Sequence, residues 1–388
     1  MINISKLYCG LSSESDRLRY EPTGSLGPVV VYNCTSRCNL RCRHCYSNSN
    51  SDAETGQLNT SQAKQLLSEL AQVNCPAVLF SGGEPLLRDD LFQLLDHAKG
   101  LGLKSVISTN GTLIDSAAAE KLAQSGVGYV GISIDGQEKF HDKFRKVEGC
   151  FTAALQGIEN CRKAGIKTGL RFTITSANAS QIPVVFDIAA SMQVRRICFY
   201  HLIRTGRAKQ LNDQVLPPQQ MRDAIETIIE KTNEFVARNL VDEVLTVGNH
   251  ADGPFLLVKM IKESNPRRRE AERLLRAGGN KTGQSIICVN WDGSVYPDQF
   301  RRSFSLGNVK DKGFVQIRKN SARPLSKKLL AGQRCSVCRW FELCGGNFSL
   351  VAAQSHSPRW INEPACYLAD DEIALQTVHT PVRVDPEK

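Results

Sequence analysis

Three cysteines fall within the run Cys38-Asn39-Leu40-Arg41-Cys42-Arg43-His44-Cys45-Tyr46. Three thiolates can hold three corners of a cubane [4Fe–4S] cluster and leave the fourth iron without a protein ligand, open to a small molecule. Structural zinc takes four ligands, usually in paired knuckles. His44 would be the fourth only by sharing the tight turn already held by Cys42 and Cys45. The spacing of Cys38, Cys42 and Cys45 therefore predicts a cluster with one open iron.

A second group, Cys335, Cys338, Cys344 and Cys366, supplies four thiols, enough for a closed site around either iron–sulfur or zinc. Spacing alone leaves both open. The chain has 388 residues and 14 cysteines. A chain of this length needs no disulfides to hold its core, and a cytoplasmic one would not keep them. Cys9, Cys34, Cys75, Cys150, Cys161, Cys198 and Cys288 read mostly as small buried apolar residues.

The elements that must position these groups alternate from residue 28 to about 201. Strand candidates are Pro28–Asn33, Ala77–Phe80, Lys104–Ser108, Tyr129–Ile134, Lys167–Ile174 and Arg195–Tyr200, with one helical stretch between each pair. That order implies parallel pairing through right-handed crossovers. The first cysteine group, Gly82-Gly83-Glu84-Pro85, Ser108-Thr109-Asn110-Gly111, Ser133-Ile134-Asp135-Gly136 and His201 to Arg207 all lie at carboxyl ends of strands. A barrel gathers such ends on one rim, whereas an open sheet scatters them. The expected α/β fold is a partial (β/α)6 TIM-like barrel with a smaller C-terminal domain.

The expected divisions are an N-terminal extension at 1–27, the barrel at 28–207 and a helical bridging region at 208–284. A domain around the second cysteine group follows at 285–370, and a tail at 371–388. Pro217–Arg238, Pro254–Glu263 and Pro266–Ala277 read as helices and Glu243–Val247 as a strand. Ile286–Val289 and Ser294–Tyr296 read as a hairpin through Trp291-Asp292-Gly293.

Basic residues number 49 against 39 acidic, a net charge of +10, which favours an anionic partner without choosing one. No stretch approaches the roughly 20 apolar residues of a membrane span. The first 27 residues show no apolar core with a cleavage site. The expected location is the cytoplasm.

The C-x3-C-x2-C run with Tyr46 after it resembles the radical S-adenosylmethionine (SAM) superfamily. That resemblance implies SAM chelating the open iron through its amino and carboxylate groups. One electron then yields methionine and a 5′-deoxyadenosyl radical. It assigns Gly82, Gly83 and Glu84 to the SAM amino group, since glycines allow close backbone approach and a carboxylate suits an ammonium. Taken alone, this loop also reads as a helix start at Pro85. The resemblance assigns Asn110 and Ser133 to the ribose, each also readable as a turn former. Arg171 goes to the SAM carboxylate or adenine.

The second cysteine group is similar to the twitch/SPASM extension of that superfamily, implying an auxiliary [4Fe–4S] cluster on Cys335, Cys338, Cys344 and Cys366. The full SPASM pattern has seven cysteines and two auxiliary clusters. Phe348 stands where one of those cysteines would be, and Cys288 reads as a core thiol, so one auxiliary cluster is expected.

Ile4-Ser5-Lys6-Leu7-Tyr8-Cys9-Gly10, Asn249-His250-Ala251-Asp252-Gly253-Pro254, Asp298-Gln299-Phe300, Leu306-Gly307-Asn308-Val309, Cys344-Gly345-Gly346-Asn347 and Pro364-Ala365-Cys366-Tyr367 resemble the tetrapyrrole-modifying AhbC/NirJ subgroup. This implies an anionic tetrapyrrole substrate. The expected reaction removes acetate side chains from 12,18-didecarboxysirohaem to give Fe-coproporphyrin III, with a ferredoxin or flavodoxin as electron donor. Arg204 and Arg207 are then the expected carboxylate-binding residues, with Arg301 and Arg302 second in rank. Arg267-Arg268-Arg269 reads as a solvated face.

His250 is a candidate proton donor or axial ligand to the substrate iron, or else a satisfied interior histidine. His44 is a second candidate to approach the substrate. Asp252 is expected to cap the helix at Pro254.

Three rivals stand beside this reading. One is propionate removal in d1-type haem synthesis. Another is a peptide maturase, which would bring an N-terminal peptide-binding domain for which 27 residues leave no room. The third is a non-catalytic iron–sulfur or zinc protein on nucleic acid. For it the chain offers no recognition helix, zinc-finger spacing or aromatic-interleaved basic stretch, so neither a nucleic-acid nor a membrane partner is expected.

Overall fold

The strand β2 (Val29–Thr35) is buried along nearly its whole length, including residues that point to opposite faces, as befits a parallel strand with helices outside and packed side chains inside. The computed structural model describes residues 1–14, 16–21, 26–52, 55–300, 302, 304–319, 334–346 and 366–374. Arg301, Asn347, Phe348, Pro364, Ala365 and the tail from 375 lie outside the described residues.

Ten further strands join β2: β1 (Ile2–Asn3), β3 (Val78–Gly82), β4 (Ser105–Thr109), β5 (Tyr129–Ser133), β6 (Lys167–Ile174), β7 (Arg196–His201), β8 (Glu243–Val247), β9 (Ile286–Val289), β10 (Ser294–Tyr296) and β11 (Gly307–Asn308). They form one sheet in the order β1-β8-β7-β6-β5-β4-β3-β2-β9-β10-β11. From β2 to β8 every neighbouring pair is parallel. The six expected barrel strands are all present.

The sheet also crosses the boundaries expected from sequence. β8, from the bridging region, adds a parallel strand beside β7, and β1 closes that edge antiparallel, Ile2 opposite Thr246. At the other edge β9, from the C-terminal region, pairs in parallel with β2, Val31 opposite Cys288. A strand of two residues such as β1 leaves no alternation to read.

Outside the sheet lie α1 (Asp16–Tyr20), α2 (Thr60–Gln72), α3 (Leu91–Gly100), α4 (Ser116–Gln124), α5 (Glu138–Arg145), α6 (Cys150–Lys163), α7 (Ile182–Ser191) and α8 (Pro218–Ala237). Later come α9 (Asp252–Lys262), α10 (Arg268–Ala277), α11 (Val309–Lys319), α12 (Phe341–Cys344) and α13 (Asp370–Ile373). Asn59 and Gln62 form a capping box at the start of α2. Buried aromatic contacts, Phe172–Phe199, Phe186–Phe199 and Phe186–Phe235, with ring centroids 5.7, 5.6 and 5.1 Å apart, lock α7 and α8 onto β6 and β7.

The C-terminal region is tied back to the barrel's far edge. Glu372 on α13 pairs with Arg222 on α8 at 2.8 Å, and Trp340 donates its indole N–H to Glu372 O at 2.8 Å. Among the described residues no helix is long and apolar enough to cross a membrane.

Candidate functional site

The loop after β2 is pinned from three sides. The Cys38 amide donates to Asn50 O, Arg41 and Arg43 amides donate to Arg145 O and Phe144 O at the end of α5, and the Arg207 amide donates to Cys45 O. The Arg207 guanidinium donates to Cys42 O at 2.8 Å and to Ser49 O at 2.7 Å. Gly206 allows this approach: a Cβ there would lie 2.4 Å from Cys45 O, on a backbone with φ +59°. Arg207 thus braces the cysteine loop, while half-buried Arg204 donates to Asn212 at 2.7 Å.

Cys38, Cys42 and Cys45 gather around Leu40. Burial pushes the Cys38 thiol up to about 12 and that of Cys42 up to about 11. Buried sulfurs of this kind become thiolates when a metal centre takes the place of the proton. Among the described residues, the one trio of possible ligands drawn within 4.8 Å of one another is His141, Asp142 and Cys150. The three loop thiols therefore stand wider than the ligands of a single tetrahedral ion, whose sulfurs sit about 2.3 Å from the metal. The donor set fits a cluster.

Behind the loop sits a buried charge pair. Asp135 accepts from Arg145 at 2.9 Å (Nε) and 2.7 Å (Nη2), and Arg145 Nη1 lies 3.7 Å from Cys42 Sγ. Burial works to raise the Asp135 carboxyl, but the Arg145 charge, aided by His44, His141 and the Thr173 amide, holds it below the usual range. His44 stacks on Phe144 with centroids 4.4 Å apart, its Nε2 3.7 Å from Asp135, and burial lowers its pKa to about 4.

A cavity of about 500 Å³ runs from this loop into the barrel, within the usual size of small-molecule sites. Cys38, Cys42, His44, Cys45, Gly82, Gly83, Asn110, Ser133, Arg171 and His250 all line it. Gly83 is needed where it is, because a Cβ there would lie 2.0 Å from Arg37 O. Asn110 donates to Asn39 Oδ1 at 2.8 Å and reaches toward Cys38 Sγ. Ser133 donates to Thr109 O at 3.3 Å. Arg171 donates to Ser108 at 2.7 Å, while its buried Nε has no hydrogen-bonding partner among the described residues.

Glu84 does not line that cavity. It is fully buried and accepts from Thr109 Oγ1 at 2.7 Å, the Asn110 amide at 2.8 Å and the Leu86 amide at 3.3 Å. Burial raises its pKa to about 7 against these bonds. The carboxylate joins the ends of β3 and β4. Arg302 lies over the Tyr46 and Trp291 rings, 5.4 and 5.3 Å from their centroids, and donates to Ser47 O at 3.3 Å.

Asp252 corrects the expectation of a cap. The helix begins at Asp252 itself, whose side chain makes no capping bond. A fully buried carboxylate needs stronger partners, and it takes His201 Nε2 at 2.8 Å and Tyr367 OH at 2.6 Å. The sequence reading also passed over Arg145 as a site residue. A lone arginine in an amphipathic helix carries no signal, although Ser-Ile-Asp-Gly at a strand end had marked its partner Asp135.

At the second cysteine group, Cys344 ends α12, and burial and the neighbouring Cys366, Cys335 and Cys338 push its thiol well above the ordinary range. Arg334 donates to Cys366 Sγ at 3.2 Å. These four sulfurs share one electrostatic environment. Cys288, by contrast, is buried in β9 beside Asn33, 3.4 Å from its amide.

Residues 32–184 match the family model of the radical SAM superfamily. The chain is 43% identical over 398 residues to the Fe-coproporphyrin III synthase of Methanosarcina barkeri, spanning 96% of this chain and 99% of the relative. The chain belongs to the radical SAM superfamily. Radical SAM enzymes employ a [4Fe–4S] cluster and SAM, and these are its cofactors. It is also similar to the pre-heme d1 synthase of Dinoroseobacter shibae, at 35% identity over 95% of this chain and 94% of that one.

Solved structures agree in fold. SuiB of Streptococcus suis bound to S-adenosylmethionine superposes with a TM-score of 0.68 at 17% identity, over 89% of this chain and 78% of that one. Native anSMEcpe with bound AdoMet gives 0.65 at 20%, over 86% and 93%. The partial TIM-like barrel expected from the strand order is thus the fold of this chain.

Proposed function

We propose that this radical SAM enzyme serves haem biosynthesis by removing acetate side chains from 12,18-didecarboxysirohaem to give Fe-coproporphyrin III. The observation that carries the reading is the end-to-end likeness to the Fe-coproporphyrin III synthase, 43% against 35% for the pre-heme d1 synthase. When bound, the cluster and SAM supply the 5′-deoxyadenosyl radical that takes a hydrogen atom from the substrate.

The chain's own residues hold and orient. Cys38, Cys42 and Cys45 would hold the cluster, braced by Arg207. Gly82, Gly83, Asn110, Ser133 and Arg171 would bind SAM, the free Arg171 Nε offering a carboxylate a charge-assisted hydrogen bond. Glu84 would act there by fixing the strand ends rather than by contact. Arg171 and Lys281 line the same cavity without a carboxylate partner among the described residues, and their charge would suit a pigment bearing several carboxylates. Cys335, Cys338, Cys344 and Cys366 would hold one auxiliary [4Fe–4S] cluster that relays an electron or helps seat the substrate. On this reading the enzyme works in the cytoplasm, with a ferredoxin or flavodoxin as electron donor.

The test is anaerobic incubation with SAM, dithionite and didecarboxysirohaem, following the pigment by mass. Loss of acetate side chains is expected. Loss of propionates would support the d1-type reaction instead, and an unchanged pigment alongside normal SAM cleavage would overturn the substrate assignment.

A further inference from the structure

His201, Asp252 and Tyr367 come from distant parts of the chain and meet in one hydrogen-bonded line. His201 ends β7 and lines the cavity. Asp252 opens α9, and Tyr367 adjoins Cys366. All three are buried, with exposures of 4%, 0% and 3%. Tyr367 OH donates to Asp252 Oδ1 at 2.6 Å, leaving Oδ2 to accept from His201 Nε2 at 2.8 Å. A carboxylate that accepts at Nε2 fixes the proton there and leaves Nδ1 as the atom that can gain or lose one. Nδ1 of His201 has no hydrogen-bonding partner among the described residues.

We propose that His201 passes a proton from Nδ1 to a side-chain carboxylate of the anionic substrate, with Asp252 as the positioning residue that holds the ring, and Tyr367 holding Asp252. The proposal rests on the tetrapyrrole reading. In the step the imidazolium Nδ1–H bond breaks, an O–H bond forms on the substrate carboxylate, and a neutral imidazole remains. No electron moves. The titratable and charged groups around the pair are Tyr367 beside Cys366, His250 after β8 and the Met1 ammonium beside β1, whose charge couples to Asp252.

The test uses the anaerobically reconstituted full chain, with didecarboxysirohaem as the probe and both binding and turnover measured. Binding is followed by the pigment's absorbance. His201→Asn is expected to lower turnover about 100-fold, the low end for a lost proton-transfer residue, while iron content persists and 5′-deoxyadenosine accumulates without product. Asp252→Asn keeps the side-chain shape but loosens the hold on the ring, so kcat is expected to fall about tenfold while affinity for the pigment stays within about twofold.

Turnover of His201→Asn within about twofold of wild type overturns the proposal, as does an Asp252→Asn variant whose kcat is unchanged or whose loss lies in affinity alone. Should His201→Asn fail to assemble, the near-isosteric Asp252→Asn decides. A wild type that binds the pigment without converting it sinks the substrate reading and the proposal with it, whereas a converting wild type with an unimpaired His201→Asn sinks the proposal alone.

Discussion

A Cβ on Gly131 would lie 2.2 Å from Arg171 Nε. Arg171 occupies the space that the neighbouring strand leaves by having no side chain. From there it donates to Ser108 on β4 and lies over the Tyr200 ring on β7, 5.7 Å from its centroid. One guanidinium thereby spans the barrel interior beside Ser133, its neighbour across the β5–β6 ladder.

Gly131→Ala should push that guanidinium aside. Overpacking of this kind costs about 1–3 kcal/mol, read as a lowered thermal midpoint. SAM affinity should fall about tenfold, the worth of one charge-assisted bond. Unchanged affinity in equilibrium binding would show that Arg171 does not reach SAM.

Arg145→Met should be more damaging than Arg145→Met combined with Asp135→Asn. The single change strands a buried carboxylate and should cost about 3–5 kcal/mol. The double change removes the charge as well and recovers part of that loss. Urea unfolding of the two variants checks the order, and iron content after reconstitution checks whether the Cys42 side of the loop still assembles.

Arg207→Lys should weaken cluster retention while leaving the barrel folded. A lysine ammonium cannot copy the fork that spans the Cys42 and Ser49 carbonyls. The rate of iron loss to a chelator should rise several-fold with little change in far-ultraviolet circular dichroism. Gly206→Ala should act in the same direction through its clash with Cys45 O.

His141 gives the stability a pH dependence whose sign can be worked out. Burial, then the Arg145 charge, lowers its pKa from 6.5 to about 3, so the folded state resists protonating it. Its contribution is complete above pH 6.5 and is lost as pH falls from there toward 3. His141→Gln, whose carbonyl can still accept from the Asp135 amide, should show a flatter decline of urea midpoint between neutral and acid pH than wild type. Equal slopes would refute the assignment.

Cys335→Ala with Cys344→Ala should remove about four irons and leave about four, the content of one cubane. The remaining centre should still cleave SAM, whereas Cys42→Ala should abolish cleavage. Iron analysis and 5′-deoxyadenosine formation read the two outcomes separately.

Much of this was legible in the sequence because barrel strands alternate with helices and because Cys38, Cys42 and Cys45 sit in one short loop. The cavity walls formed by Gly82, Gly83, Asn110, Ser133 and Arg171 followed from their places at or near strand ends. Contacts made across long separations were not legible. Nothing local links Asp252 to His201 and Tyr367, or Arg145 to Cys42, since the fold brings each pair together. The charge of Arg207 is visible in the sequence, whereas the Cys42 and Ser49 carbonyls that engage it come only with the fold. The bonds of Glu84 to Thr109 and the Asn110 amide likewise come only with the fold.

The pairing of β9 with β2, together with the Arg222–Glu372 and Asp252–Tyr367 contacts, means that the C-terminal segment grips both margins of the open barrel. It acts as a lacing, and the margins cannot part without breaking a strand ladder on one side or buried polar contacts on the other. Sideways opening of the barrel to admit a guest would therefore break these contacts first.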